Sequence, residues 1–378
     1  MITSPVPLAF FISSHGFGHA ARSVAIMNAI YERVATVRFE IFTLTPRWFF
    51  EESLQAPFSL HPIKTDIGLV QQTSLTEDLT ETLNQLDAFI PFDQALVNKL
   101  AKQISKTSCQ LVLCDISPLG IAVAHAAGIP SILIENFTWD WIYELYTAEY
   151  PRFRFHIEYL RKVFNSTDYH IQTEPVCNPQ KTANLTTYPV SRKPKTPAIQ
   201  IRRKLNIPDN HRMVLVTMGG IPERFSMLRN LSKLDGISLV IPGGSYQMQF
   251  TNHMVLLPHH SNFYHPDLVF ASDAVVGKAG YSTTVEVYFA GAPFGFINRP
   301  NFRESPVLAT FIQHQMAGFE IPSSLFQNGE WIEAIPQLIS LPHIQRLSPN
   351  GAEQIAWYVQ SLLNNDENQT LSQSRAQE

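Results

Sequence analysis

The feature of this sequence that most constrains its fold is a repeated order of apolar run, glycine turn and helical segment. Residues 7–14 are mainly apolar, Gly16 and Gly18 interrupt the run, and residues 20–33 continue with apolar side chains at helical spacing. A short buried strand that passes through a glycine turn into a helix is typical of a parallel sheet covered by helices on both faces. The first part of the chain is therefore predicted to fold as an α/β unit.

The same order recurs along the rest of the chain. Further strands are predicted at 36–44, 110–114, 131–134, 212–217, 237–241, 254–257, 274–276 and 294–297. Helices are predicted at 119–127, 282–290 and 351–363, with a helical excursion over 65–108 and a partly exposed helical segment over 138–163. Residues 175–199 are rich in proline and polar side chains, which is typical of a linker. With 378 residues in all, this organisation favours two α/β domains over one.

Composition narrows the classes of function. The net charge of -4 gives no reason to expect nucleic acid as a partner. The basic cluster at 192–195 is interpreted as a solvated part of the linker, with contact to an anionic membrane as the alternative. Three sparse cysteines, Cys109, Cys114 and Cys177, argue against a disulfide framework, and no metal-ligand spacing of Cys and His is present.

The N-terminus lacks the basic region of a signal peptide, and its apolar run is too short to cross a bilayer. We therefore expect a cytoplasmic protein, with peripheral contact at the inner face of the membrane left open.

The first candidate site is the loop His15-Gly16-Phe17-Gly18-His19, which follows the first predicted strand. Ligands of open α/β sheets bind at the carboxyl ends of strands, and glycines allow close approach of the backbone to a ligand. Imidazole titrates near neutral pH, so His15 or His19 is a candidate general base. The alternative is a glycine turn with hydrogen-bonded histidines.

Two further loops follow predicted strands of the second half. Gly219 and Gly220 form a candidate anion-contact loop, although two glycines after a strand are common. The sequence GKAGYSTTVE over 277–286 is more specific, because Gly280, Ser282 and Thr283 open a helix whose N–H groups and hydroxyls suit a phosphate. Glu286 lies one turn into that helix, where its carboxylate can accept hydrogen bonds from both hydroxyls of a ribose. The alternative is an ordinary capped helix with an exposed glutamate.

Carboxylate and aromatic residues of the first half supply further candidates. Asp115 ends an apolar strand, where it can orient a histidine across the loop or cap the following helix. Trp139, Asp140 and Trp141 are candidates for contact with an acceptor sugar or an apolar chain. The alternatives are core or interface roles for the tryptophans and a simple surface charge for the aspartate.

These motifs resemble a known superfamily. The segment from Pro266 to Pro293, which contains GKAGYSTTVEV, is similar to the C-terminal nucleotide-sugar signature of GT-B glycosyltransferases, in particular the peptidoglycan GlcNAc-transferase-like and UDP-glycosyltransferase-like branches. With the opening HGFGHAAR, the stretch from Asn136 to Tyr143 and the segment from Asn298 to Pro306, the chain more narrowly resembles the glycosyltransferase-like region of arabinokinases and their stand-alone bacterial relatives. The resemblance covers residues 8–360. No kinase region follows, so a stand-alone unit is expected.

The resemblance implies a GT-B fold, in which two Rossmann-like parallel-sheet domains face each other across a cleft. The expected boundaries are 1–175 for the acceptor domain, 176–199 for the linker, 200–348 for the nucleotide-sugar donor domain, 349–365 for a helix that packs back toward the first domain, and 366–378 for a disordered tail.

The resemblance also implies roles for individual residues. His19 would be the catalytic base and Asp115 its partner. The implied donor-binding set comprises Gly16, Gly18, Gly219, Gly220, Lys278, Gly280, Ser282, Thr283, Glu286, Arg303 and Glu304. Within it, Lys278 departs from the small residue that many relatives carry, and it would place a cation beside the diphosphate. No metal and no cofactor is implied beyond the nucleotide-sugar substrate.

We therefore expect a glycosyltransferase that moves a hexosyl or N-acetylhexosaminyl group from a nucleotide-sugar, in the first place a UDP-sugar, to a hydroxyl of an unknown glycan, lipid-linked or small-molecule acceptor. Two alternatives stay open. One is a non-catalytic nucleotide-sugar-binding module of the same fold, and the other is an enzyme similar to a sugar-nucleotide epimerase.

Overall fold

The computed structural model of the chain describes residues 5–73, 75–218, 234–251 and 253–375. Two seven-stranded sheets form the centres of two α/β domains, as the repeated order of strand, glycine turn and helix predicts. The strands predicted from apolar runs are all present, with ends that differ by a few residues. The predicted loop residues Gly219 and Gly220 lie outside the described residues.

The first domain is built on seven parallel strands in the order β3-β2-β1-β4-β5-β6-β7. The strands are β1 (Val6–Ile12), β2 (Val37–Phe42), β3 (Phe58–His61), β4 (Val112–Asp115), β5 (Ser131–Glu135), β6 (Tyr169–Thr173) and β7 (Leu185–Thr187). The helices are α1 (Gly18–Arg33), α2 (Arg47–Ser53), α3 (Leu79–Phe89), α4 (Gln94–Lys106), α5 (Pro118–Ala127), α6 (Trp139–Glu144) and α7 (Phe153–Phe164). Helices pack on both faces, because the inner strands are apolar on both sides.

The second domain has the strand order β10-β11-β9-β8-β12-β13-β14, and β10 alone of these strands runs antiparallel to its neighbour. The strands are β8 (Arg212–Thr217), β9 (Ile237–Pro242), β10 (Gln249–Phe250), β11 (Met254–Leu257), β12 (Ala274–Lys278), β13 (Phe294–Ile297) and β14 (Gly318–Glu320). The helices are α8 (Ala198–Lys204), α9 (His265–Ala271), α10 (Tyr281–Ala290), α11 (Ser305–Gln315), α12 (Ser323–Asn328), a 3-10 turn (Glu330–Ala334), α13 (Ile335–Ile339) and α14 (Gly351–Arg375).

Each sheet changes its winding direction at one point, and both points face the cleft. In the first sheet the reversal lies between β1 and β4, and in the second it lies between β8 and β12. A reversal of strand order opens a crevice at the carboxyl ends of the strands, where ligands of this architecture bind. The loops after β1 and β12, and the end of β4, carry the histidines, the serine–threonine run and Asp115 that the sequence singled out.

Two of the expected boundaries are wrong in detail. The linker predicted over 176–199 contains the edge strand β7 and the start of α8. The strand β7 has three residues and lies close to prolines, so its sequence gives little sign of a strand. It is stabilised by its pairing with β6. The C-terminal helix α14 continues to Arg375, past its expected end at 365 and into the expected disordered tail, and no glycine or proline after Gly351 interrupts it.

The helix α14 packs back onto the first domain, although it follows the second domain in sequence. Ile355, Ala356 and Val359 share one buried cluster with Val24 of α1. Gly351 permits this return, because a Cβ at that position would lie 2.0 Å from the carbonyl oxygen of Tyr188.

We expect Gly277→Ala to lower the free energy of unfolding by about 1–3 kcal/mol, because overpacking of a close-packed core costs about that much. A Cβ on Gly277 would meet the backbone oxygen of Thr217 at 2.2 Å, inside the central sheet of the second domain. Urea unfolding followed by circular dichroism measures the change. Gly18→Ala is the control, because its Cβ would make one ordinary contact at 3.6 Å. Equal midpoints for the two variants would contradict the close packing of β8 against β12.

Candidate active site

Two helix N-termini meet across the cleft between the domains. The loop after β1 turns at Gly16, whose φ of 70° lies in the left-handed region, and leads into α1 at Gly18. A Cβ placed on Gly18 would lie 3.6 Å from the Oγ of Ser282 at the start of α10, so the two helix starts are in contact. Their unpaired N–H groups and positive dipole ends converge at one place, which favours a bound anion there.

A histidine–carboxylate pair lies beside this meeting point. Nδ1 of His19 is 2.9 Å from Oδ1 of Asp115, and the Asp115 side chain is fully buried at the end of β4. If Nδ1–H donates to the carboxylate, the lone pair of the imidazole is on Nε2. The two residues are 96 positions apart in sequence, and the parallel pairing of β1 with β4 brings them together.

Arg22 is the second partner of the same carboxylate. Its Nε donates to Oδ2 of Asp115 at 2.8 Å and its second terminal nitrogen donates to Oδ1 at 2.7 Å. Burial opposes the charge of Asp115, but the Arg22 guanidinium and the His19 hydrogen bond outweigh it and hold the pKa of the carboxyl below its ordinary value. Arg22 comes one turn after His19 on α1, so one helix supplies both partners of Asp115.

The backbone after Asp115 is strained. Ile116 has a φ of 43°, a left-handed conformation that β-branched residues rarely adopt. Such a conformation costs on the order of 1–3 kcal/mol and persists only where the surroundings enforce it. Its N–H donates to the carbonyl oxygen of Ile134 at 3.2 Å, which holds the turn from β4 against β5. The helix α5 then begins at Pro118, and Ser117 caps it, because its hydroxyl accepts a hydrogen bond from the N–H of Gly120 at 3.3 Å.

Two adjoining cavities occupy the cleft. The first, here called the aromatic cavity, holds about 880 Å³ of empty space and is lined from both domains, notably by Phe17, Trp48, Phe49, Phe263, Tyr264 and His265. The second, the polar cavity, holds about 660 Å³ and is lined notably by His15, His19, Lys278, Arg299, Phe302 and Glu304. Phe17, Ser282 and Thr283 line both, so the start of α10 stands at their junction. Both volumes suit a small-molecule ligand.

The polar cavity perturbs its own titratable groups. Burial is the main cause that lowers the pKa of His15 well below its usual value, and the charges of Arg299, His19 and Lys278 add to it, so His15 is neutral at pH 7. Burial raises the pKa of Glu304, against the opposing charge of Arg299. Perturbed groups concentrated in one cleft are typical of functional sites.

Glu286, the predicted ribose contact, is already engaged within the protein. Its Oε1 accepts from Nε of Arg192 at 2.9 Å, and its Oε2 lies 2.7 Å from Nδ1 of His265. Burial opposes its charge, but Arg192 and then His265 outweigh this and lower its pKa. Arg192 and His265 line the aromatic cavity. Glu286 is not part of the lining and contacts the cavity through these two side chains. The side chains that face this cavity are therefore the Arg192 guanidinium and the His265 imidazole, both held by the Glu286 carboxylate.

The remaining donor candidates fall into two places. Lys278, Gly280, Ser282 and Thr283 line the polar cavity, as do Gly16 and Gly18 from the opposite loop. Glu304 lines it too and accepts from Nδ2 of Asn136 at 2.7 Å. Arg303 points elsewhere: it bonds Oε2 of Glu144 at 2.6 Å and lies over the ring of Trp141.

Of the three acceptor candidates, Trp139 lies near His19, with ring centroids 6.3 Å apart, and the other two lie in a different place. Trp139 is 1% exposed, and its Nε1 donates to Asp66 at 2.7 Å, so its main role is in the core. Its ring nevertheless backs the cleft, with its centroid 5.2 Å from that of His15. Asp140 and Trp141 line a separate groove together with Arg303. The segment over 138–163 is partly exposed, as expected: Leu145 and Phe155 face solvent, while several of its other aromatic residues stack on one another in the core.

Several residues of the site escaped the sequence interpretation. Arg22 was visible in HGFGHAAR, one helical turn after His19, and Arg299 was visible beside the proline of Asn298-Arg299-Pro300. The aromatic lining from Phe17, Trp48 and Tyr264 left no local signal, since these residues come from three distant segments.

The described ranges contain neither a candidate metal site nor a candidate membrane-spanning helix. Within residues 5–73, 75–218, 234–251 and 253–375, no three His, Cys, Asp or Glu side chains are grouped so that they could hold a metal ion. None of the helices in these ranges has the length and apolar character needed to cross a bilayer.

Known proteins resemble this chain in sequence and in structure. No protein-family model matches the sequence. The sequence is 26% identical over 357 residues to the L-arabinokinase of Arabidopsis thaliana. The matched region covers 93% of this chain and 34% of the plant protein. The chain thus spans about a third of that relative. It is also 24% identical over 284 residues to an uncharacterized glycosyltransferase of Methanopyrus kandleri, over 69% of this chain and 78% of that protein.

Solved structures share the architecture. The spinosyn forosaminyltransferase aligns with a TM-score of 0.59 at 14% identity, over 88% of this chain and 90% of its own. MurG of Acinetobacter baumannii aligns with a TM-score of 0.54 at 14% identity, over 94% and 100% of the two chains. A glycosyltransferase of Medicago truncatula complexed with UDP-glucose aligns with a TM-score of 0.56 at 12% identity, over 96% and 94%. The chain has the GT-B glycosyltransferase fold. Identities this low establish the fold and leave the substrates open.

We expect Asp115→Asn to lower the free energy of unfolding at pH 7 by about 3–5 kcal/mol, because it leaves the buried Arg22 charge without its partner. The folded-state pKa of Asp115 is lowered, so the stability that its ionisation contributes is present above about pH 4 and is lost as the pH falls through the lowered pKa. The difference between variant and wild type should therefore shrink in acid.

Urea unfolding at pH 7, 5 and 3 measures this difference. Asp87→Asn is the matched control, because Asp87 is 42% exposed in its pairs with Arg152 and His156 and should contribute less than about 1 kcal/mol. A difference that stays constant from pH 7 to pH 3 would show that the Asp115 charge does not stabilise the fold.

Proposed function

We propose that this protein transfers a sugar from a nucleotide-sugar, UDP-linked in the first place, to a hydroxyl group of an acceptor. The observation that carries the proposal is the His19–Asp115 pair, whose imidazole lines the polar cavity at the meeting point of two helix N-termini while its carboxylate is buried behind it. A base fixed by a carboxylate, next to a ready anion site, provides the two functions that transfer from a diphosphate requires. The GT-B fold supports this interpretation by analogy.

The donor fits the two cavities in one orientation. The aromatic cavity suits the nucleoside, because Phe17, Trp48 and Tyr264 offer flat apolar surfaces to a base. The diphosphate would lie at the junction, where Ser282 and Thr283 open α10. The sugar would then enter the polar cavity beside His19. In this arrangement Arg192 and His265 would contact the ribose, and Glu286 would act by holding them.

The chemistry follows from this placement. Nε2 of His19 accepts the proton of the acceptor hydroxyl, and the oxygen attacks the anomeric carbon of the donor. The bond between that carbon and the diphosphate oxygen breaks, and its electron pair leaves with the nucleotide. The N–H groups at the start of α10 and the Lys278 ammonium stabilise the charge that develops on the diphosphate. Asp115 stabilises the imidazolium that His19 becomes.

A second candidate function is a nucleotide-sugar-binding module that does not transfer. One specific observation favours it: Arg22 holds both oxygens of Asp115, so the carboxylate already has a permanently charged partner besides His19. The relative with 93% coverage of this chain is a plant protein named for sugar kinase activity, in which the matched region is about a third of the length.

The donor site is tested by ligand-induced stabilisation. We expect UDP and one or more UDP-sugars to raise the melting temperature more than GDP or TDP and their sugars, since a ligand at 100 times its Kd stabilises by about 2.7 kcal/mol. Trp48→Ala should weaken nucleotide binding about tenfold through lost stacking. Trp357→Ala is the control, because Trp357 is 60% exposed on α14. No stabilisation by any nucleotide would refute the donor site.

The catalytic base is tested with the UDP-sugar found in that screen. We expect His19→Gln to reduce the rate of nucleotide release by about 10²–10⁴-fold while the Kd for UDP stays within about threefold, because general-base catalysis contributes that much to the rate. Release of UDP in the presence of candidate acceptors, or of water, gives the rate. His125→Gln on the surface of α5 is the matched control. Wild-type binding without measurable UDP release would favour the non-catalytic module.

A further inference from the structure

Arg299 is a buried cation whose hydrogen-bonding capacity is unfilled. Its side chain is 5% exposed and lines the polar cavity. Its Nε has no hydrogen-bond partner among the described residues. The two carboxylates paired with it are distant for hydrogen bonds, with Glu304 at 3.8 Å and Glu77 at 4.0 Å. A buried guanidinium is costly unless its hydrogen bonds are made, so this arrangement is suited to completion by a ligand.

The other charged groups of the cavity leave Arg299 available. Arg22 and Asp115 neutralise each other through two hydrogen bonds. His15 is neutral, because burial first and then the nearby cations lower its pKa. Burial raises the pKa values of both Glu304 and Glu77, so their own environment disfavours the charged forms that would otherwise compete for Arg299. Lys278 adds a second buried cation to the same wall.

Arg299 lies away from the junction of the two cavities, where the diphosphate of the proposed donor would bind. Ser282 and Thr283, at the start of α10, line both cavities, whereas Arg299 follows β13 and is found in the lining of the polar cavity only. It lies on the side where the sugar and the acceptor would meet. A planar guanidinium with paired N–H donors fits a carboxylate with two parallel hydrogen bonds.

We propose that the polar cavity binds a carboxylate-bearing sugar, a hexuronate, with Arg299 as the bidentate partner of its carboxylate. This inference rests on the proposed nucleotide-sugar site and specifies its substrate class. The carboxylate can belong to the donor sugar or to the acceptor, and the same contact would serve either. Glu304 remains bonded to Asn136 in both cases, since the Asn136 amide donates to a carboxyl oxygen whether or not the acid is protonated.

Calorimetric titration of the full chain with matched ligands tests the donor arm. UDP-glucuronate and UDP-glucose differ at one carbon, carboxylate against hydroxymethyl. We expect the wild type to bind UDP-glucuronate about 10- to 100-fold more tightly, the range that a charge-assisted hydrogen-bonded pair provides. Arg299→Gln should abolish this preference and leave the Kd for UDP unchanged. Arg212→Gln, at a 64% exposed arginine paired with Asp273, is the control and should retain the preference.

A second variant protects the test against a folding defect. Glu77→Gln keeps the size of the side chain and removes whatever negative charge Glu77 still carries 4.0 Å from the guanidinium, so it should increase the preference for UDP-glucuronate. A damaged fold cannot produce a gain of this kind. The acceptor arm titrates glucuronate and glucose into the complex of the protein with saturating UDP. If glucuronate binds more tightly than glucose and Arg299→Gln removes the difference, the carboxylate belongs to the acceptor, and the proposal is supported.

The outcomes separate this inference from the proposed function. If UDP binds and neither arm prefers the carboxylate, or if the preference survives Arg299→Gln, the uronate assignment is overturned and the nucleotide-sugar site stands. If UDP, GDP, TDP and all their sugars fail to bind, the proposed function itself is refuted, and the inference falls with it.

Discussion

The buried carboxylate of Asp115 is the group on which the geometry of the cleft depends. It makes hydrogen bonds with His19, Arg22 and Ser23, which all lie in the first two turns of α1. These bonds fix that helix against the end of β4. A carboxylate with no exposed surface must be paired, and here its partners include the candidate base itself. The constraint that stabilises the fold at this point is therefore also the one that orients the imidazole.

The same network continues across the cleft into the second domain. Arg22 donates to Oδ1 of Asn136 at 2.6 Å, Asn136 donates to Glu304 at 2.7 Å, and Glu304 pairs with Arg299. Tyr281 adds a second connection, because its hydroxyl donates to the carbonyl oxygen of Glu174 at 3.0 Å. His19 in one domain and Arg299 in the other are thus joined by a continuous chain of polar contacts.

The GT-B architecture indicates where a donor of the proposed function would bind but not which donor it would be. Reversal of the strand order in each sheet and the facing helix N-termini follow from the fold, which structures of 12–14% identity share. The groups that would choose the sugar come from the turns that the fold leaves variable: Arg299 after β13, His15 after β1, and the wall formed by Asn136 and Glu304. These side chains, and Arg299 above all, carry the proposed specificity, rather than the sheet.

The sequence alone determined the two α/β domains, most strand positions and the loops that reach the cleft, because apolar runs and glycine turns are local signals. It also identified His19 and Asp115 as candidates. Only the tertiary structure decided that Arg22 shares Asp115, that Glu286 holds Arg192 and His265, that Trp139 lies in the core, and that Arg303 points away from Glu304. These outcomes depend on pairing between side chains far apart in sequence, whose partners are chosen by burial and charge once the domains have closed.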